Sequence, residues 1–197
     1  MIKKVFTMFP QTLVVCGIDA DHSKVIQDIE SVLNERDGFY LSKTNLHTNK
    51  IFEDLSTKFI DAVQFCFDDF FQYKNITPKI TSMWATGCKD QQNIHRHNHP
   101  NSFISGAYYP QDIDYAPIRF FNPTPKTIVP DIRSPNFYNV EDFIVRPQQG
   151  DLLLFPSYVQ HETAKNLLNT MRYTISFNVF PYGTFGEDDT LSSLEIS

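Results

Sequence analysis

The chain has 197 residues, 41% hydrophobic and 20% charged, enough apolar material for one ordinary domain and too much for a disordered segment. A formal net charge of −6 with no Lys/Arg block argues against a surface that neutralises the phosphates of a duplex. Cys16, Cys66 and Cys88 are odd in number and widely spaced, which fits free thiols in a reducing compartment better than a disulfide framework. No apolar run reaches the ~20 residues of a membrane span. Thr7, Pro10, Gln11 and Thr12 interrupt the stretch after Lys3 and Lys4 that a signal peptide would need, so a cytoplasmic location is expected.

In chain order, Val5 to Val15 reads as an opening strand broken by Pro10. From Ser23 to Leu33, Val25, Ile26, Ile29, Val32 and Leu33 recur at helical spacing behind a capping Asp21. A second amphipathic helix is expected from Asn49 or Lys50 to about Gln72, with Ile51, Leu55, Phe59, Ile60, Val63, Phe67 and Phe70 on its apolar stripe. After Asn75 helical periodicity gives way to short apolar runs bounded by Pro, Asn, Asp and Gly. These predict strands at Ile80–Ala85, Phe103–Tyr109, Ile118–Phe121, Phe143–Arg146, Asp151–Phe155, Gln160–Ala164 and Arg172–Phe180. Two helices followed by many strands imply an α+β, mainly β domain with helices on one face of a sandwich or barrel. Asn122–Val140, rich in Pro, reads as a long loop of the kind that serves as a lid. The acidic, Ser-rich tail from Glu187 to Ser197 is expected to fray.

Histidine placement carries the chemistry. His95, His97 and His99 alternate in Ile94-His95-Arg96-His97-Asn98-His99-Pro100, so they share one side of an extended segment and two of them can meet one ion. Imidazole suits Fe, Zn, Cu or Ni, and two near ligands with one distant ligand leave open positions for catalysis. A His-rich surface loop gives the same local pattern. What favours a site is the second half: Gly150-Asp151-Leu152-Leu153-Leu154-Phe155-Pro156, then His161, then Arg172-Tyr173-Thr174, in which Arg172 and Thr174 share a strand face. A buried Arg on a strand is costly unless an anion meets it, and its planar fork matches a carboxylate.

This combination resembles the iron(II)/2-oxoglutarate-dependent oxygenases, and within them the small prolyl-hydroxylase-like oxygenases of phages and bacteria. The segment from His97 to Tyr109 is similar to that group's first metal motif and following strand, and Gly150–His161 with Arg172–Asn178 to its second half. The resemblance implies a double-stranded β-helix, or jelly roll, at about 80–182, with helical support at about 20–75, all in a single domain. It implies His97, His99 and His161 as iron ligands. Arg172 would pair with the far carboxylate of 2-oxoglutarate, helped by Thr174 and by Tyr108 or Tyr109, with Asn178 on the pocket wall. Iron(II), 2-oxoglutarate and dioxygen would be consumed with ascorbate as reductant, in a hydroxylation of a peptide residue or small molecule. For a phage-encoded chain the location would be the host cytoplasm, and neither nucleic acid nor membrane is expected as partner.

The sequence departs from the pattern at His99, where most of the superfamily has a carboxylate. A three-His dioxygenase of cupin type that needs no 2-oxoglutarate is therefore an alternative, as is a non-catalytic jelly-roll module. His95 is an alternative ligand on the same face.

Overall fold

The computed structural model describes residues 1–7, 10–112, 116–124, 127–187 and 191–197. Asp21 caps the first helix as expected: its carboxylate accepts from the Lys24 amide at 3.0 Å, and α1 runs His22–Val32 with Val25 and Ile29 turned inward. The second apolar period folds as α2, Glu53–Phe65, entered through a 3₁₀ turn at Lys50–Phe52 and left through a π turn at Cys66–Phe70. Leu55, Phe59 and Val63, four apart, form its buried stripe.

The strands are β1 (Val14–Gly17), β2 (Asn34–Arg36), β3 (Phe39–Leu41), β4 (Ile76–Cys88), β5 (Ile104–Tyr108) and β6 (Ile118–Phe121), then β7 (Asp142–Val145), β8 (Asp151–Pro156), β9 (His161–Thr163), β10 (Arg172–Phe185) and β11 (Leu194–Ile196). They form two antiparallel sheets: a large one in the order β1-β8-β5-β10-β4-β3-β2, with β11 added to β10, and a small one in the order β7-β6-β9. This is a jelly roll, mainly β, with both helices packed on the outer face of the large sheet.

Period-2 alternation gives the large sheet two apolar faces. Met83, Ala85, Tyr108, Leu152, Leu154, Ile175, Phe177 and Val179 pack against Ile29, Phe59 and Val63 of the helices. On the opposite face Ala107, Tyr109, Leu153 and Phe155 meet Ile118 and Phe120 of the small sheet. Between the sheets, beside this second cluster, lies the cleft that concerns function. No helix among the described residues is long and apolar enough to cross a membrane.

Several elements differ from expectation. The opening strand starts only at Val14 and runs to Gly17, because its partner β8 offers main-chain groups from Leu154 back to Asp151; Met8 and Phe9, within the expected span, lie outside the described residues. A β2–β3 hairpin was not anticipated, although its turn is Asp37-Gly38, both at positive φ (50° and 82°), a strong local hairpin signal. The tail is not simply frayed: Leu194–Ile196 pair with Gly183–Phe185 because β10 continues past Phe180 and leaves a free edge. Composition reports solvation; it does not report main-chain pairing. The described part of Asn122–Val140 contains no helix or strand, in line with a long loop.

Gly106 fixes the contact between β5 and β10. A Cβ there would lie 2.2 Å from the Phe177 ring, and that ring is stacked on Phe59 at 4.9 Å between centroids. Gly106→Ala is expected to destabilise the fold by about 1–3 kcal/mol through overpacking, read as a lowered midpoint in denaturant unfolding; an unchanged midpoint would mean the stack relaxes freely.

Candidate active site

His97 and His161 face each other across an isolated antiparallel bridge: the His97 amide donates to the His161 carbonyl at 3.0 Å and the reverse bond is 2.9 Å. Directly opposed residues of an antiparallel pair project to the same side, which brings their ring centroids to 4.3 Å. The His99 amide donates to the Ser157 carbonyl at 2.9 Å, and its ring lies 5.1 Å from each of the other two. One nitrogen from each imidazole lies within 4.8 Å of the others, and this is the group of three His, Cys, Asp or Glu side chains suited to an ion among the described residues.

The tautomers follow from the acceptors. His97 Nδ1 is 2.7 Å from the His95 carbonyl and His161 Nδ1 is 3.1 Å from the Val159 carbonyl. A carbonyl only accepts, so both Nδ1 atoms carry hydrogen, and a neutral ring in this tautomer keeps its lone pair on Nε2. His99 Nδ1 lies 2.6 Å from Asn178 Oδ1, which leaves its Nε2 facing that of His97 at 3.1 Å. Two lone pairs at that distance call for a shared proton or metal cation between them, and imidazole nitrogens suit Fe, Zn, Cu or Ni. Burial pushes the His161 imidazole down to about 3, against the Val159 hydrogen bond and with help from His97 and His99. Burial also lowers His99, opposed by its bond to Asn178. These two rings are neutral at pH 7, the form that ligates a metal. His95 is exposed and outside the group, contributing its carbonyl rather than its ring.

A cleft partly open to solvent surrounds the three rings; its walls include Trp84, Ile94, Tyr109, Ile118, Phe155, Thr163, Thr174 and Ser176. Arg172 is 2% exposed. Its Nη1 donates to the Ala164 carbonyl at 2.9 Å and its Nη2 to Thr163 Oγ1 at 2.8 Å, and no carboxylate among the described residues pairs with it. Three of the five guanidinium N–H groups are thus left over from these bonds. The guanidinium does not line the cleft itself; it stands behind Thr163, whose hydroxyl also accepts from the Ile94 amide at 2.9 Å. Burial raises the Tyr109 phenol, and the nearby Arg172 charge opposes that rise.

Of the two tyrosines expected beside the co-substrate, Tyr109 lines the cleft. Tyr108 points the other way, into the helix-side core, where its hydroxyl meets His22 Nδ1 at 2.7 Å. Adjacent strand residues face opposite sides, so only one of the two can face the cleft. Asn178 shares the face of Thr174 and Ser176 but its amide contacts His99 rather than forming the cleft wall. Thr163, Trp84, Thr86 and Ser176 were not anticipated; the parity of His161 and Thr163, two apart on β9, was a usable signal.

Residues 82–178 match the model of a family described as "Putative 2OG-Fe(II) oxygenase". No curated protein sequence matches the chain. Among solved structures, HygX from Streptomyces hygroscopicus with nickel, 2-oxoglutarate and hygromycin B bound is 13% identical, at a TM-score of 0.62 over 86% of this chain and 82% of that one. A prolyl hydroxylase from Trichoplax adhaerens, in complex with a hypoxia inducible factor peptide fragment, is 14% identical at a TM-score of 0.62 over 85% of this chain and 83% of that one. The epimerase SnoN of nogalamycin biosynthesis is 9% identical at a TM-score of 0.64 over 92% and 81%. With this site on this fold, the chain belongs to the iron(II)/2-oxoglutarate-dependent oxygenases, oxidoreductases that use iron(II), 2-oxoglutarate and dioxygen. That membership sets aside the non-catalytic module.

Trp84, the single Trp of the chain, has its ring 5.6 Å from that of His99. Co(II) or Ni(II) is expected to quench its fluorescence. In His161→Ala the affinity read this way should fall by more than the ~10–100-fold that loss of an outer-shell partner costs. Undiminished quenching in that variant would remove His161 from the site.

Proposed function

We propose that this single-domain oxygenase, acting in the cytoplasm, couples oxidative decarboxylation of 2-oxoglutarate to hydroxylation of a C–H bond in a peptide residue or small molecule. The observation that carries the reading is the meeting of three imidazoles aimed at one point with a buried guanidinium that has no carboxylate partner among the described residues. His97, His99 and His161 would hold iron(II). Arg172 would receive the far carboxylate of 2-oxoglutarate, with the hydroxyls of Thr174, Thr163 and Tyr109 beside it. Thr163 fits this role because its oxygen already accepts from Arg172 and Ile94, leaving its own hydrogen to donate.

Iron(II) bound with 2-oxoglutarate and dioxygen supplies the oxidising equivalents, with succinate and carbon dioxide as co-products and ascorbate as an external reductant. The chain's own residues orient and exclude. The guanidinium fixes one end of the keto-acid, so its keto end is directed at the imidazoles. Trp84, Ile94, Ile118 and Phe155 keep the surroundings dry. The loop after β6 exposes Ile128, Val129, Phe137 and Tyr138, an apolar cover for a bound substrate. The likeness in fold to HygX and to the Trichoplax hydroxylase supports a substrate drawn from small molecules or peptide residues.

The test is succinate release with Fe(II), ascorbate and a panel of peptides, amino acids and small molecules. A bidentate charged contact of ~1.5–3 kcal/mol corresponds to roughly 10–150-fold in affinity. Half-saturating 2-oxoglutarate should therefore rise at least tenfold in Arg172→Ala, and also in Arg172→Lys, whose point charge cannot form the fork. Iron retention should stay unchanged in both. The lack of a carboxylate among the three clustered side chains favours one other reading, a dioxygenase independent of keto-acid. Oxygen uptake on a substrate without added 2-oxoglutarate would establish that reading and defeat the first.

A further inference from the structure

Two of the three imidazoles lean on backbone carbonyls, but His99 leans on side chains. Its Nδ1 lies 2.6 Å from Asn178 Oδ1 and 2.9 Å from Ser105 Oγ. In the orientation found, Asn178 Nδ2 donates to Ser82 Oγ at 3.1 Å and its Oδ1 lies 2.9 Å from Ser105 Oγ. Ser105 is fully buried and continues into Ser157 at 2.8 Å and Ser102 at 2.9 Å, whose hydroxyl donates to the carbonyls of Ile104 and Val179. Protons along this chain can all point away from the histidine. Asn178 Oδ1 and Ser105 Oγ then both present lone pairs to Nδ1.

Along β4 and β10 the register slips between Asn178, opposite Ser82, and Val179, opposite Ile80, so Thr81 is an extra residue on β4. The bulge sits directly opposite Asn178, where Thr81 Oγ1 donates to the Asn178 carbonyl at 3.3 Å.

We propose that Asn178, seconded by Ser105, is the positioning residue of His99: it fixes the Nδ1–H tautomer and turns the Nε2 lone pair toward His97 and His161. An amide in this place supplies an acceptor without adding a charge next to the three imidazoles. The proposal deepens the metal-centre reading and rests on it for its consequence, but the tautomer can be measured without metal.

In metal-free, ¹⁵N-labelled protein, long-range ¹H–¹⁵N correlation should show a single Nδ1–H pattern for His99, assigned by its loss in His99→Ala. Asn178→Ala should convert this to a mixture containing Nε2–H, and Asn178→Asp, which keeps the acceptor, should restore the single pattern. Co(II) affinity, read by visible absorption, should fall roughly 10–100-fold in Asn178→Ala and recover in Asn178→Asp. Where Asn178→Ala does not fold, Asn178→Leu keeps the volume and removes the acceptor. An Nδ1–H pattern that survives in either apolar variant, or an Asn178→Asp variant that behaves like them, overturns the proposal. Co(II) binding indifferent to His161→Ala would instead defeat the metal-centre reading, while the tautomer shift would still uphold the positioning role.

Discussion

The site depends on one pair of backbone hydrogen bonds. The amides and carbonyls of His97 and His161 exchange both their bonds across an isolated antiparallel bridge, and this pairing alone places two imidazoles, distant in the chain, on one side of the sandwich. Without it His161 would belong only to β9 and His97 only to an irregular segment. His99 follows from the same constraint: two residues along, it stays on the same side, and its own amide is tied to Ser157 at the end of β8. Side-chain orientation is thus inherited from main-chain geometry, which a single side-chain substitution does not readily disturb.

The second constraint is the alternation of β10, which divides labour between two faces of one strand. Ile175, Phe177 and Val179 bind the large sheet to the helices, while Thr174 and Ser176 line the cleft and Asn178 supports a ring within it. The apolar half stabilises the polar half: Phe177 is locked between the Gly106 notch and Phe59, so the hydroxyls on the other side are held by a packed core. Arg172 stands where this strand begins, and its burial is tolerated because Ala164 and Thr163 satisfy part of its fork.

Much of this was legible in the residues. The helical spacing of Val25 and Ile29, or of Leu55, Phe59 and Val63, reports buried stripes directly. The alternation of His97 and His99 and of Arg172 and Thr174 reports shared faces. What the sequence does not settle is which face of a strand is which when both are buried. Tyr108 and Tyr109 are both aromatic and both fully enclosed, so composition is silent, and only their neighbours in space separate the core tyrosine from the cleft tyrosine. Asn178 was placed on the correct face by parity, yet its partner His99, 79 positions earlier, leaves no mark in hydrophobicity. The β11 pairing escaped for a related reason, since main-chain ladders ask little of side-chain type.

His99 brings an imidazole to the cluster where a carboxylate would bring a negative charge. A divalent cation held by the three imidazoles would keep its full charge, and Arg172 adds another positive charge nearby with no acidic partner among the described residues. Under the proposed function, a dicarboxylic keto-acid would present one end to each charge. The apolar side chains of Phe155, Ile118 and Trp84 lower the local polarity, which strengthens that attraction. The same low polarity keeps His161 neutral. One physical circumstance, burial between two sheets, therefore prepares the imidazoles to accept a cation and increases the pull of the cation and the guanidinium on the acid.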